Sequence, residues 1–312
     1  MRNLKALIYG EKQIHVLDAL GFLESLKNLT GESIESIAII SQSKDEINAE
    51  ELMGASKVYA LGAVSSYASF NSVLKLYNEL SPDLLLGAAT KNTNEVLARM
   101  SAKLDIPMLT EVTELEKVNG DIILRRNMLG GRALISYVFS KPLILTVPQK
   151  KFKPPEEGPV PEVEEYKAEE EAKVRVVEVK PKEKGAVDIE AAEIIVGVGR
   201  GFKNKDDLNI AFELASLLGG EVGCTRPIAA DYGWLGEDRW IGISGKKIRG
   251  KLYFAIGISG APQHIMAAND SKIIVAVNKD KNAPIFQYAD YGIVADLYQF
   301  LPVLIKRLKE RT

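Results

Sequence analysis

Apolar residues fall into two alternating patterns along this chain: short continuous runs, and stretches where they recur every three or four positions. Ala6–Tyr9 is the first run, of the kind a buried parallel strand shows. Val16, Leu17, Leu20, Leu23 and Leu26 then follow at helical spacing. Ser36–Ile40 reads as a strand, Glu46–Met53 as a weak helix and Lys57–Leu61 as the next strand. Tyr67–Leu80 is helical, with Val73, Leu74, Leu76, Tyr77 and Leu80 mostly on one face. Asp83–Leu86 is a strand, and Asn92–Leu104 a helix opening at an Asn or Thr cap. Strands separated by helices of about three turns predict βαβ units and a parallel sheet. Past Pro107 the helical stretches stop. Asp121–Leu124, Arg132–Val138 and Pro142–Val147 follow one another as strands, expected to be antiparallel additions to this first domain.

The pattern then breaks. Between Lys150 and Lys184, 19 of 35 residues are charged and five are proline. This reads as a solvated, extended connection rather than a partner-binding arm. One strand-like alternation, Lys173–Val179, lies within it and is expected to dock on the first domain. The α/β pattern restarts with a strand at Glu193–Val196 and a helix over Asp206–Leu218. Strands at Lys251–Ile256, Lys272–Val277 and Tyr291–Val294 follow, and Asp296 caps a closing helix. The chain is therefore expected to be α/β with two domains, 1–185 (150–184 being the charged connection) and 186–312. Each should be a mostly parallel sheet flanked by helices.

Composition narrows the function. Over 312 residues, 46% are hydrophobic and 26% charged, values of a folded chain. Lys and Arg number 40 against 42 Asp and Glu, a formal net charge of −2, so nothing electrostatic points to nucleic acid or an anionic membrane. Cys224 is the single cysteine, which excludes an intrachain disulfide and Cys₄ or Cys₂His₂ zinc sites. A reducing compartment is the simpler home. No apolar stretch approaches the ~20 residues that span a bilayer, and the first residues lack a signal peptide's apolar core. These readings predict a soluble, cytoplasmic protein with no metal site, no nucleic-acid partner and no direct membrane insertion.

The uncommon residues gather in the second domain, at the C-terminal ends of its predicted strands. That edge is where doubly wound sheets bind ligands. Gly197-Val-Gly-Arg-Gly201, Gly223-Cys-Thr-Arg-Pro227, Gly242-Ile-Ser-Gly-Lys246 and Ser259-Gly-Ala-Pro-Gln-His264 all fall there. Glycines let backbone amides approach a phosphate, and helix N-termini favour anions. Arg200, Arg226 and Lys246 would add positive charge. The run at Gly197 is not the G-x-G-x-x-G fingerprint and reads equally as a tight strand–helix turn. His264 reads equally as a site residue or a satisfied, partly buried histidine. His15 reads as structural, Cys224 as a small buried residue, and Trp234 and Trp240 as packing or interface residues. Walker, nucleophile-elbow and kinase motifs are missing, and no acidic pair has acid–base spacing. The residues alone stop at a nucleotide-binding α/β protein. A redox carrier, a nicotinamide-dependent dehydrogenase and a non-redox nucleotide-binding regulator all remain open.

Taken in order, a set of segments from about Glu193 onward resembles the alpha subunit of electron transfer flavoprotein. They are Gly199-Arg-Gly201, Thr225-Arg226, Gly242–Lys246, Gly257–His264, Asp270-Ser-Lys272, Val277–Asp280, Ala283–Gln287 and Ala289–Leu297. The first half is similar mainly through Leu86–Thr90 and Leu97–Leu104. The resemblance implies a nucleotide-hydrolase-like N-terminal domain and a doubly wound, FAD-binding C-terminal domain. It implies a heterodimer with a beta subunit, which would hold AMP or a second FAD and so decide whether the system bifurcates electrons. It implies an electron carrier rather than a free-standing enzyme. Donors would be flavin-dependent dehydrogenases, such as the acyl-CoA dehydrogenases of fatty acid beta-oxidation. The acceptor would be a membrane quinone oxidoreductase or a similar quinone-linked or ferredoxin-linked protein.

By position, the resemblance carries over a set of FAD contacts and no catalytic residue. Arg200 and Asn278 would meet the phosphate–ribityl–adenosine part, with Asp296 and Leu297 near the adenosine end. Thr225, Ile241, Gly242 and Ile243 would line the site. Arg226 would lie against the isoalloxazine ring and Ser244 near its N5. Ser259, Gly260, Ala261, Pro262 and Gln263 would follow the ribityl chain, with His264 donating at the N1/O2 edge. Arg226, Ser244 and His264 would tune the flavin. Three positions depart from the family's usual pattern: Ile243-Ser244 stands for Gln-Thr, Pro262 for an aliphatic residue and Thr225 for Ser.

Overall fold

The computed structural model describes residues 4–62, 64–129, 133–167 and 187–310. The chain divides into two compact units, Met1–Val179 and Lys180–Thr312. The strand expected at Lys173–Val179 and the boundary expected near Gly185 lie outside the described residues.

The N-terminal unit begins with β1 (Leu4–Gly10), α1 (Gln13–Thr30), β2 (Ile34–Ile40) and β3 (Lys57–Ala60). It continues with α2 (Ser66–Leu80), β4 (Leu84–Ala88), α3 (Lys91–Leu104) and the short β5 (Met108–Leu109). Next come β6 (Glu114–Val118), β7 (Asp121–Met128), β8 (Ala133–Val138), β9 (Leu143–Val147) and β10 (Glu162–Glu165). Seven of these strands form one parallel sheet in the order β10-β3-β2-β1-β4-β9-β5. Alternate residues of a strand face opposite sides, and β1 shows the result. Leu4, Ala6 and Ile8 pack with Val16, Leu20 and Phe22 of α1. Leu7 and Tyr9 pack with Val73 and Leu76 of α2 and Val96, Leu97 and Met100 of α3. Helix ends follow local chemistry. Thr90 caps α3 by accepting the Thr93 N–H, and Gly31 closes α1 in the left-handed region at φ 72°.

Two expectations for this unit need correction, and two strands were missed. Pro142–Val147 does not extend the antiparallel part. Its residues form β9, which lies parallel between β4 and β5 with every side chain buried. Burial on both faces is what its unbroken apolar run records. Only β6, β7 and β8 make the separate antiparallel sheet. Glu46–Met53 is not a helix but part of two 3₁₀ turns, Lys44–Glu46 and Ala49–Leu52. There the Asn48 side chain accepts the Glu50 N–H, a local bond that competes with helix. The charged strands β6 and β10 escaped the sequence pattern because both are largely solvated. Arg125 on β7 holds β6 through Glu114 at 3.7 Å and Glu116 at 2.5 Å.

The C-terminal unit holds β11 (Ile194–Val198), α4 (Asn209–Leu218), β12 (Glu221–Cys224) and β13 (Leu252–Ile256). It ends with α5 (Pro262–Ala268), β14 (Ile274–Asn278), β15 (Tyr291–Val294) and α6 (Leu297–Lys309). The five strands are parallel in the order β12-β11-β13-β14-β15. Val196, Val198, Phe254 and Ile256 bury against α4 and α6. Ile195, Tyr253 and Ala255 bury against Ile265 and Ala268 of α5. The mostly parallel, helix-flanked sheet expected of each unit is present in both. The chain leaves β11 to one side for β12 and to the other for β13, which makes a topological switch point between β11 and β13. Among the described residues, no helix is long and apolar enough to cross a membrane.

Candidate functional site

A cleft of about 620 Å³ opens at the C-terminal edge of the five-stranded sheet. The segment after each strand contributes to it. Arg200, Gly201 and Lys203 follow β11, and Thr225, Arg226 and Pro227 follow β12. Gly257, Ile258, Ser259 and Ala261 follow β13, Asn278 and Lys279 follow or end β14, and Ala295–Tyr298 follow β15. The loop Trp240–Ser244, with Gln263 and His264 of α5, completes the wall.

Glycines bring these segments together. A Cβ at Gly199 would lie 2.5 Å from the Gly257 carbonyl oxygen, and one at Gly201 2.5 Å from the Gly257 Cα. The Gly201 N–H donates to that same carbonyl at 2.9 Å. The run at Gly197 therefore serves close backbone approach across the switch point and delivers Arg200 to the cleft. A Cβ at Gly242 would lie 2.8 Å from Trp240 Nε1, so that turn is bare in order to fold around the indole.

The lining is chemically biased. Arg200, Lys203, Arg226 and Lys279 place four cationic side chains around it. The Arg226 guanidinium lies 5.7 Å from the Trp240 ring centroid, within cation–π range. The Thr225 hydroxyl is buried and has no hydrogen-bond partner among the described residues. A buried hydroxyl without a partner costs stability unless a ligand completes it. Asn278 donates to the Ile258 carbonyl at 2.9 Å and accepts the Asp280 N–H at 2.9 Å, so it also shapes two loops. Asp296 caps α6 by accepting the Tyr298 N–H at 2.8 Å. Tyr298 donates to Asp207 at 2.5 Å, and that bond holds the Asp207 carboxyl below its ordinary range.

Fourteen of the sixteen residues expected to contact a cofactor line this one cleft: Arg200, Thr225, Arg226, Ile241, Gly242, Ile243, Ser244, Ser259, Ala261, Gln263, His264, Asn278, Asp296 and Leu297. Gly260 and Pro262 do not. Gly260 is buried at φ 88° against the Pro284–Gln287 turn, and Pro262 is exposed at the start of α5. Lys246 is not a cleft cation either. Its ammonium sits 2.6 Å from the Glu190 carboxylate. Sequence reasoning passed over Lys203, Lys279 and Tyr298 and read Trp240, which lines the cleft, as a packing or interface residue; the aromatic pair could have been flagged by adjacency to Ile241 and Leu297. Cys224 is buried, and burial pushes its thiol up to about 12, which suits a packing residue. His264 is buried, and burial pushes its pKa down to about 4, so the imidazole is neutral. Both of its ring nitrogens already bond within the protein.

The chemistry of this set suits a phosphate-bearing ligand with an extended aromatic part, and comparison with known proteins narrows it. Residues 188–269 match the family model described as the electron transfer flavoprotein FAD-binding domain, and residues 24–183 the electron transfer flavoprotein domain. The chain is 36% identical over 286 residues to "Putative electron transfer flavoprotein subunit YdiR" of Escherichia coli K12, covering 88% of this chain and 90% of that one. It is 34% identical over 295 residues to the electron transfer flavoprotein subunit alpha of Thermoanaerobacterium thermosaccharolyticum, covering 90% and 86%. Protein FixB of Escherichia coli O139:H28 is 33% identical over 229 residues, covering 72% and 73%. The chain belongs to the electron transfer flavoprotein family as an alpha-type subunit, with that family's FAD-binding domain in its C-terminal unit.

Proposed function

We propose that the cleft beyond β11–β15 holds FAD and that the chain carries electrons as one half of a heterodimer with a beta subunit. The donor side would be flavin-dependent dehydrogenases, acyl-CoA dehydrogenases of fatty acid beta-oxidation among them, in the cytoplasm. The acceptor would be a quinone-linked or ferredoxin-linked protein. The observation that carries this reading is the cleft itself, with four cations, an unpartnered Thr225 hydroxyl and a switch-point position inside a unit that matches an FAD-binding domain. Relatives in the family are carrier subunits rather than enzymes, and its alpha subunits pair with a beta subunit.

FAD supplies the redox chemistry when bound, and this chain's residues hold and bias it. Arg200, Lys203 and Lys279 meet the phosphates, and the Thr225 hydroxyl gains the partner it lacks. Asp296 and Leu297 take the adenosine end. Ser244, on the exposed rim, offers a hydroxyl to the ring. Arg226 supplies positive charge beside the ring, and Trp240 steadies its guanidinium from below. Such a charge favours added negative charge by Coulomb attraction.

The first test is the visible spectrum of the chain purified with its beta subunit. Oxidised flavin bands near ~370 and ~450 nm are expected. A complex that stays colourless after soaking in FAD overturns the reading and favours a nucleotide sensor. In the yellow complex, Arg226→Ala is expected to lower the reduction potential of bound FAD by roughly 60 mV or more, a tenfold loss per electron. A potential equal to wild type removes Arg226 from this role.

A further inference from the structure

The stretch between β11 and α4 brings Arg200 and Lys203 to the cleft, yet little of it is buried. Phe202 is 2% exposed, but Lys203, Asn204, Lys205 and Asp206 all face solvent. Apolar burial therefore does not fix the path of the chain past Phe202. Local bonds supply part of the order. The Asn204 N–H and side-chain amide donate to the Asp207 carboxylate at 3.1 and 3.5 Å. Two further bonds come from outside the loop, from Tyr298 on α6.

Tyr298 uses its hydroxyl in both directions. Its O–H donates to Asp207 at 2.5 Å, and its oxygen accepts the Lys203 N–H at 2.7 Å. The directions are fixed, because an amide N–H only donates and an ionised carboxylate only accepts. One hydroxyl thus ties Lys203 and Asp207 to the same point. The phenol is itself held. Asp296 accepts the Tyr298 N–H at 2.8 Å, and the ring meets Phe202 edge-on with centroids 6.4 Å apart. Beside it, Leu297 packs on bare backbone, where a Cβ at Gly201 would lie 3.2 Å from Leu297 Cδ2. The first turn of α6 therefore clamps the loop from Gly201 to Asp207. The Lys203 ammonium lies 5.4 Å from the Tyr298 ring centroid, within cation–π range.

We propose that Tyr298 is a positioning residue whose hydroxyl latches the Gly201–Asp207 loop to α6, and that this latch sets how long FAD stays in the cleft. The consequence rests on the cofactor reading above; the latch itself does not. It acts through the Lys203 ammonium, which a free loop would carry away from the phosphates. A loop held in advance has less freedom to lose when the ligand binds, and retention follows from that. Tyr298→Phe keeps the aromatic ring and every charge of the cleft. The flavin ring beside Arg226 should therefore not sense it.

The test uses the complex with the beta subunit. Samples are gel-filtered at timed intervals, and the retained absorption near ~450 nm gives the rate of FAD loss. Tyr298→Phe is expected to lose FAD roughly tenfold faster, as fits a lost hydrogen bond to a charged group, at the wild-type reduction potential. Lys203→Ala removes the ammonium but keeps the backbone N–H that Tyr298 accepts. Adding Tyr298→Phe to it should speed release little further, because both act through one group. Asp207→Asn separates latch from charge. Loss of a carboxylate from the loop that carries Lys203 would, by charge alone, slow the release of a phosphate-bearing cofactor. The latch predicts faster release. The wild-type rate in Tyr298→Phe, full additivity with Lys203→Ala, slower release in Asp207→Asn, or a potential moved as far as in Arg226→Ala overturns the proposal. Hydrogen exchange at the Lys203 amide judges the latch without the cofactor, and should be faster in Tyr298→Phe. Colourless protein with that difference refutes FAD and keeps the latch. Yellow protein with equal exchange refutes the latch alone, and colourless protein with equal exchange refutes both.

Discussion

Gly260→Ala is expected to cost the C-terminal unit about 3 kcal/mol or more and to leave the purified complex without FAD. Two independent penalties combine at this position. Gly260 sits at φ 88°, where an L side chain costs roughly 1–2 kcal/mol. An added Cβ would also overlap the Ile285 backbone nitrogen and lie 2.6 Å from its Cα. Backbone cannot rotate away as a side chain can, so the loop after β13 or the Pro284–Gln287 turn must move. Overpacking of this kind costs ~1–3 kcal/mol. The Ile285 N–H also donates to the Ser259 carbonyl at 3.0 Å, so the displaced turn carries a cleft residue with it. Gly219→Ala is the matched control, with φ 67° and nothing within 4 Å of its Cβ. It should cost only the conformational part, roughly 1–2 kcal/mol. Both tryptophans, Trp234 and Trp240, lie in this unit, so urea unfolding followed by their fluorescence reports it selectively. Equal midpoints for the two variants would show that the contact with Ile285 costs nothing.

This case also shows what the sequence could and could not tell. Gly260 stood out by position, but a chain read in one dimension does not show that it also sits at positive φ, packed against the Pro284–Gln287 turn. The same holds for Lys246. Its charge was legible, yet Glu190, 56 residues earlier in the chain, takes it. Strands with continuous apolar runs alternating with helices, as at Ala6–Tyr9, were legible as parallel, because such runs have few other uses. Strand β9 was legible as a strand but not as a parallel one. Its neighbours β4 and β5 lie far from it in sequence, and register between distant strands leaves no local trace. Strands β6 and β10 left no apolar signal because ion pairs and solvated edges hold them, as Lys57 holds Glu164 at 2.8 Å. The glycine-bearing cleft segments were legible because they fall at the C-terminal ends of predicted strands, where doubly wound sheets bind ligands. Trp240 and Tyr298 were not, since an aromatic residue in sequence looks the same whether it lines a cavity or fills a core.

The stability of the C-terminal unit should fall as the medium is made mildly acidic, and His264 should carry most of that fall. Burial pushes its pKa in the folded state down to about 4, against an ordinary 6.5. The sign follows from proton counts. Between these values the unfolded chain binds a proton that the folded chain refuses, so stability rises with pH through this window. The contribution is complete above about pH 6.5, shrinks as pH falls toward about 4, and is gone below it. At ~1.4 kcal/mol per unit, the loss between about pH 7.5 and about pH 5 is roughly 2 kcal/mol. The structural cause is plain, because a proton on Nε2 would face the Tyr253 hydroxyl that now donates to it, in a site nearly closed to water. Tyr253 does not titrate in this window, since burial pushes its phenol up, and Cys224 near 12 does not either. His15 is also pushed down by burial, but it lies on α1 in the other unit, which holds neither tryptophan. Urea unfolding read by tryptophan fluorescence at the two pH values isolates the effect. His264→Gln removes the titrating group and should flatten the pH dependence, at some cost in stability at both values. If the variant keeps the wild-type slope, the acid sensitivity belongs to carboxylates elsewhere in the unit, and His264 is not the buried neutral base the geometry describes.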